Sequence, residues 1–365
     1  MQSMASLFSF GEDSSGRYFM SRMATGVTRL RLVLPLSAVV FIALFGMTHG
    51  IYAATTPVRV TIAYPSPSPR VAPLWVAQDL DFFGKYGLRA QVVLVRNNQM
   101  LTAGLAAGDL DVGYTGGTTV LGAAAAGAEL KMVGGFVSRG RGFLTVRPDI
   151  RKTADLAGKR FGVQSIGGTI WMYAMLTLEQ LGLDLTRDRI QLLVVGDQTV
   201  MVRALEAGIV DAAVMTTRTY SLALKQKGFN VLAEVFPAMS STGIVARKSF
   251  IEKNPATIES VMKALIEAEY YLLAPSGKTQ TVKTIMNRLK LSDPHLAEEG
   301  YADIVKEFDA KPYPSLEGLK NMQRLMAMQN PTLADINTAN LMDSSFMRKL
   351  EDAGFLAQMA ARYRE

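Results

Sequence analysis

The sequence predicts an α/β protein of two lobes, each a mainly parallel sheet flanked by helices, joined by a two-strand hinge and followed by a helical C-terminal segment. Three observations carry this. First, Val58–Tyr64 alternates as a strand, Ala72–Phe83 shows helical spacing that stops at Gly84, and Leu88–Val95 reads as a second strand. Strand, helix and strand within about 40 residues make a βαβ unit, and hence a parallel sheet. Second, the run Leu105 to Gly113 (LAAGDLDVG) has a near copy at Leu205 to Ala213 (LEAGIVDAA), with Gly208 and Asp211 100 residues after Gly108 and Asp111. Each glycine suits a helix C′ position and each aspartate stands before a strand, which argues for two lobes of like architecture. Third, from Asn254 onward apolar residues recur at helical spacing, with helices expected at Pro255–Tyr271, Thr279–Leu289, His295–Phe308, Ser315–Met328 and Ser344–Ala353.

The lobes are expected to interleave along the chain: residues 57–142 in lobe 1, 143–246 in lobe 2, and 247–365 back in lobe 1 as its mostly helical second part. Lys131–Val137 and Phe143–Val146 would be the strands around the first crossing, and Gly243–Arg247 the second. Two crossings form a hinge that lets lobes close on a ligand.

Composition narrows the chemistry. The 365 residues are 49% apolar, enough for a large core. There is no cysteine, so disulfides, thiolate metal sites and cysteine nucleophiles are excluded. Of the two histidines, His49 falls in the leader and His295 follows Asp293-Pro294 as a surface residue. No catalytic residue, metal site or cofactor is therefore expected. The net charge of +7 is spread along the chain, with no basic block or motif suited to nucleic acid.

Arg17, Arg22, Arg29 and Arg31 precede an uncharged apolar run from Leu32 to Met47, followed by small residues around Ala53 and Ala54. This reads as a signal peptide over residues 1–53, cleaved near Ala53, with export to the periplasm. An uncleaved anchor is the competing reading, although the run contains Pro35 and is short for a span of about 20 residues.

The candidate site lies at polar turns between strands and helices. Ser165-Ile166-Gly167-Gly168-Thr169 separates the strand-like Gly158–Val163 from the helix-like Ile170–Leu181, and Thr169 can cap that helix. Tyr114-Thr115-Gly116-Gly117-Thr118 repeats the pattern, and Thr216-Thr217-Arg218-Thr219-Tyr220 follows the second copy of the Gly/Asp run. The first turn of such helices offers free N–H groups and partial positive charge to an anionic or polar group. Ser66 and Ser68, in the proline-rich segment after the first strand, lie where ligands bind in parallel sheets. Arg139 and Arg218 are the expected direct partners of a negative group, because a guanidinium holds two oxygens at once. Tyr114 and Tyr220 are expected to flank an organic ligand, while Trp171 is as suited to the core.

With these residues in place, the sequence resembles the type II periplasmic substrate-binding proteins of ABC importers, in the branch that takes nitrate, sulfonates, taurine or thiamine-pyrimidine precursors. The resemblance is carried by Ala72–Gln78, Phe82–Leu88, Gly108–Val112, Asp155–Arg160 and Phe346–Phe355. It implies a type II periplasmic-binding-protein fold, a buried cleft, a small-molecule ligand, and docking onto a membrane permease with a cytoplasmic ATPase. A monomer is expected, meeting the membrane only through the permease or an uncleaved leader. The family's ligand positions would fall at Ser66, Ser68, Tyr114–Thr118, Arg139, Ser165–Thr169 and Thr216–Tyr220. A related eukaryotic branch makes a thiamine pyrimidine using histidine and a Cys-rich segment, which this chain lacks. Two alternatives stay open beside the transport receptor: an enzyme on the same fold, and a sensor that passes the closed state to a signalling partner.

Overall fold

The computed structural model describes residues 56–364, so the leader expected over 1–53 lies outside the described residues. Two five-stranded sheets form the frame. The first contains β1 (Val58–Tyr64), β2 (Leu88–Leu94), β3 (Val112–Thr115), β4 (Leu130–Arg139) and β10 (Ala238–Arg247) in the order β2-β1-β3-β10-β4. The second contains β5 (Gly142–Val146), β6 (Arg160–Val163), β7 (Gln191–Val194), β8 (Ala212–Met215) and β9 (Asn230–Val235) in the order β7-β6-β8-β5-β9. β1 pairs in parallel with β2 and β3, and β6 does the same with β7 and β8. The strand that has crossed from the other lobe, β10 or β5, runs antiparallel to both its neighbours.

The two sheets thus share one design, and the repeated aspartates show why the motif recurs. Asp111 Oδ2 accepts the Thr61 amide of β1 at 2.8 Å, and Asp211 Oδ2 accepts the Arg160 amide of β6 at 2.9 Å. Each carboxylate satisfies a backbone donor where a parallel ladder begins, which an apolar residue could not do.

Helices follow the parallel strands: α1 (Ala72–Asp79), α2 (Phe82–Lys85), α3 (Asn98–Ala107), α4 (Gly117–Ala125), α5 (Thr169–Gln180), α6 (Gln198–Glu206) and α7 (Arg218–Gln226). The C-terminal part adds α8 (Lys248–Lys253), α9 (Pro255–Leu273), α10 (Lys278–Leu289), α11 (Pro294–Glu307), α12 (Leu316–Ala327), α13 (Ser345–Asp352) and α14 (Phe355–Arg362). Among the described residues no helix is long and apolar enough to cross a membrane.

Two expectations are corrected. The helix expected over Ala72–Phe83 breaks at Leu80–Asp81, where Asp81 takes the left-handed conformation (φ 54°) and restarts the chain as α2. The return crossing lies at residues 236–237, between β9 and β10, and not at Gly243–Arg247. Residues 238–246, expected in lobe 2, pair with β3 and β4 in the first sheet. The polar run Ser240-Ser241-Thr242 hid the start of this strand from an apolar pattern.

Apolar packing binds α1 and α9 to one face of the first sheet through Ile62, Trp75, Phe136 and Leu265. A second cluster continues from Leu121 and Val245 through Leu319 of α12 into Leu144, Phe161 and Trp171. Trp171 is therefore core. The chain end is held by a polar cluster: Glu267 of α9, buried, accepts from Lys85 Nζ, Tyr86 OH and Tyr363 OH, each at 2.6 Å. Burial alone would raise the Glu267 pKa, but these donors hold it below the usual carboxylate value. A lowered folded-state pKa adds stability above the unfolded carboxylate range, and that stability is lost as pH falls through the folded value. Glu267→Gln should therefore cost about 1.5–3 kcal/mol at neutral pH. Urea unfolding across a pH series should show the difference from wild type shrinking on acidification; a pH-independent difference would contradict this assignment.

Candidate functional site

Parallel topology brings the carboxyl ends of β1, β3, β6 and β8 to a common cleft between the lobes, and the helices that follow begin there. What differs between those helix starts is whether the protein has already used their N–H groups. α3 is capped by Asn97, whose side chain accepts the Met100 amide at 3.0 Å. α6 is capped by the buried Asp197, which accepts from the Thr199 and Val200 amides at 2.9 and 3.2 Å. At α7 the Arg218 amide donates to Asp303 Oδ2 of α11 at 2.6 Å. α4 and α5 begin at glycines, Gly116 and Gly168, with no side-chain cap; the 69–71 turn and α1 after β1 also lack one, but begin at Ser68 and Val71. Their first turns meet across the cleft, where Thr118 Oγ1 and Thr169 Oγ1 are 3.2 Å apart.

The local sequence explains this. Gly167 has φ +77°, a conformation L side chains rarely adopt, which turns the chain sharply from β6 into α5. Gly116 is needed for a different reason: a Cβ there would lie 2.7 Å from Ser241 O and 2.9 Å from Thr169 Oγ1. Absence of that carbon lets the lobes approach. Thr169 was expected as the cap of α5, but Gly168 takes that place and frees the Thr169 hydroxyl for the cleft.

Between the two helix starts lies a cavity of about 70 Å³, several times the ~10–15 Å³ that one water needs. Lobe 1 lines it with the 65–71 segment, Tyr114–Gly116 and Ser241–Thr242, and lobe 2 with Gln164, Thr169, Ile170 and Thr216. Of the expected site residues, Ser66, Ser68, Tyr114, Thr115, Gly116, Thr169 and Thr216 reach it. Thr118 and Gly167 line instead an adjoining apolar groove between α3, α4 and the 166–167 turn. Gly117 packs under Leu319 and Met322. Ser165 and Thr217 are buried, and neither hydroxyl has a hydrogen-bond partner among the described residues. Ser165 Oγ sits at the mouth of α5, 2.6 Å from where a Gly168 Cβ would be.

Three expected roles are corrected, those of Arg139, Arg218 and Tyr220. Arg139 is 65% exposed and pairs with the exposed Glu317 at 3.2 Å, outside the cavity. Arg218 turns its guanidinium to Glu234, Glu299 and Asp303 at 3.7–3.8 Å. Tyr114 lines the cavity, packs its ring against Phe136 and donates its hydroxyl to Arg70 O at 3.0 Å. Tyr220 donates to Pro67 O at 2.7 Å and clasps the proline-rich segment.

That segment bridges the lobes. Prolines remove backbone donors but keep carbonyls, and lobe 2 supplies the donors: Gln164 Nε2 reaches Pro65 O at 2.8 Å, and the Gln198 amide reaches Ser66 Oγ at 3.3 Å. Farther out, Arg96 pairs with Asp197, and Gln99 Nε2 reaches Ile166 O at 3.1 Å.

The cation of the cavity is Arg70, which sequence reasoning missed. It follows Pro69 in the same segment, and nothing in its spacing separates it from a surface arginine. It is buried, donates from Nε to Glu307 Oε2 at 2.6 Å and from Nη2 to Arg141 O at 2.8 Å, and lies 5.5 Å from the Tyr173 ring centre. Burial opposes its charge, but Glu307, Tyr173 and Asp303 together more than offset burial and keep Arg70 protonated. Burial raises the Tyr114 phenol well above its ordinary pKa, with the Glu269 carboxyl adding to the effect. The ionisable groups lining the cavity are thus kept in their protonated forms.

Comparison with known proteins follows the geometry. The model of the NMT1/THI5-like family matches residues 68–276. A putative aliphatic sulfonates-binding protein of Escherichia coli (strain K12) is 30% identical over 204 residues, which are 54% of this chain. The chain spans 61% of the length of that relative. Among solved structures, a protein of Bordetella bronchiseptica RB50 superposes with a TM-score of 0.70 at 19% identity, covering 84% of this chain and 98% of that one. The alkanesulfonate-binding protein SsuA from Xanthomonas axonopodis pv. citri, bound to MOPS, gives 0.64 at 22% identity, covering 79% and 98%. At these identities the structural matches speak to the fold.

Two outcomes check this geometry. Gly116→Ala should lower stability by about 1–3 kcal/mol and also weaken ligand binding, because the added methyl crowds the Ser241 carbonyl within lobe 1 and Thr169 across the cleft. Small-angle X-ray scattering should then show a smaller ligand-induced compaction than in wild type; full compaction would contradict the close approach at Gly116.

Proposed function

The chain belongs to the NMT1/THI5-like family, and from that premise we propose that it is an extracytoplasmic receptor whose two lobes close on a small solute for delivery to an ABC permease and its cytoplasmic ATPase. The solute is an anionic or heteroaromatic molecule: a sulfonate, an organic acid or a thiamine-precursor-like compound. One observation carries the reading: α4 and α5 begin at glycines with no side-chain cap beside a cavity that also holds a buried arginine, while side chains fill the starts of α3, α6 and α7. A named sulfonate-binding relative supports the same ligand class. The protein would work in the periplasm as a monomer, with residues 1–53 as its cleaved leader.

On this reading the role is non-catalytic, in keeping with the binding-protein description of the relative.

Thermal-shift measurement of the purified chain against methanesulfonate, taurine, nitrate, benzenesulfonate, sugars and polyamines tests the reading. Anions should raise the melting temperature and be recovered unchanged. Stabilisation by sugars or polyamines alone would refute it. Arg139→Ala should leave the affinity of a stabilising anion within about twofold of wild type, because an exposed pair contributes about 0–1 kcal/mol to stability and lies outside the cavity.

A further inference from the structure

Resting on that reading of the cleft, we infer that Glu307 is a specificity-determining residue that limits the site to ligands carrying at most one negative charge. Arg70 does not meet a ligand as a free charge, because the Glu307 carboxylate lies against its Nε at 2.6 Å on the side away from the cavity, and both side chains are almost wholly buried. Glu307 is held there by a second donor, the Arg141 amide at the hinge, 3.3 Å from Oε1. No other acidic or basic side chain lines the cavity among the described residues. Lining and counter-ion together therefore carry no net charge, and the partial charges of α4 and α5 supply the attraction.

A monoanion can be held by such a site through hydrogen bonds and the two helix starts. A dianion doubles its attraction to Arg70, but the Glu307 carboxylate behind Arg70 cancels most of that gain, while the cost of desolvating the ligand rises steeply with its charge. Glu307 is set among charges that are themselves paired: Arg141 Nη1 lies 3.1 Å from Asp303 Oδ1, on the same helix as Glu307, and Arg141 Nε 2.7 Å from Glu234. The discrimination is thus electrostatic and built in behind the wall, where no substitution in the lining would reveal it.

Methanesulfonate and sulfate test this, being close in shape and differing by one charge. Isothermal titration should find wild type favouring methanesulfonate, and Glu307→Gln should raise the affinity for sulfate relative to methanesulfonate by about tenfold or more. A merely structural role would change both affinities by the same factor. Should Glu307→Gln not fold, the double variant Arg70→Met with Glu307→Met removes the two charges together, and its preference should stay on the wild-type side. If methanesulfonate binds and the ratio is unchanged in Glu307→Gln, or if the double variant reverses the preference, this inference is wrong while the receptor reading stands. If neither anion binds wild type, the anion reading of the cleft falls first and this inference with it.

Discussion

A helix that starts at glycine leaves its first amides for something outside the helix to satisfy, and that constraint shapes the cleft. At the cleft, α4 and α5 start in this way, one in each lobe. Other helices around the cleft are closed by Asn97, Asp197 and Asp303. The cost of an unmet buried donor is about 1–3 kcal/mol, so two adjacent open starts favour any acceptor group that can bridge them. The topology makes bridging possible, since parallel strands deliver both starts to the same edge.

The rest of the interface is arranged so that the lobes meet without filling that gap. Hydroxyls and amides of lobe 2 take the carbonyls of the 65–67 segment, and α11 fixes the start of α7 near the hinge through Asp303. Burial raises the Asp303 pKa, and the Arg218 amide with the Arg141 and Arg218 charges offsets this only in part. Binding energy must come from both lobes together: micromolar affinity requires about 8 kcal/mol, and hydrogen bonds contribute about 0.5–1.5 kcal/mol each, or 1.5–3 to charged groups.

Much of the fold could be read from the chain because its signals are local. The Gly108/Gly208 and Asp111/Asp211 pairs report a repeated supersecondary unit, and their hydrogen bonds to the neighbouring strands show the physical need that keeps them alike. The helices after Asn254 were legible from apolar periodicity for the same reason. The glycine turns also revealed where ligand-directed amides would lie. What could not be read was which charged side chains face inward. Arg139 and Arg218 sit beside the expected turns, yet their partners Glu317 and Asp303 come from helices roughly 85–180 residues later in the chain. Arg70 is buried for the converse reason: Glu307, distant in sequence, supplies the charge that lets a guanidinium remain inside. The return crossing was misplaced because Ser240, Ser241 and Thr242 near the start of β10 break the apolar pattern, the last two lining the cavity.

The most direct test of the account is to follow backbone amides by 15N-resolved NMR while methanesulfonate is added. The account predicts that the amides of Gly117 and Thr118 at the start of α4 and those of Thr169 and Ile170 at the start of α5 shift together, with one common dissociation constant. Shifts confined to one lobe, or to residues outside the cleft, would contradict it.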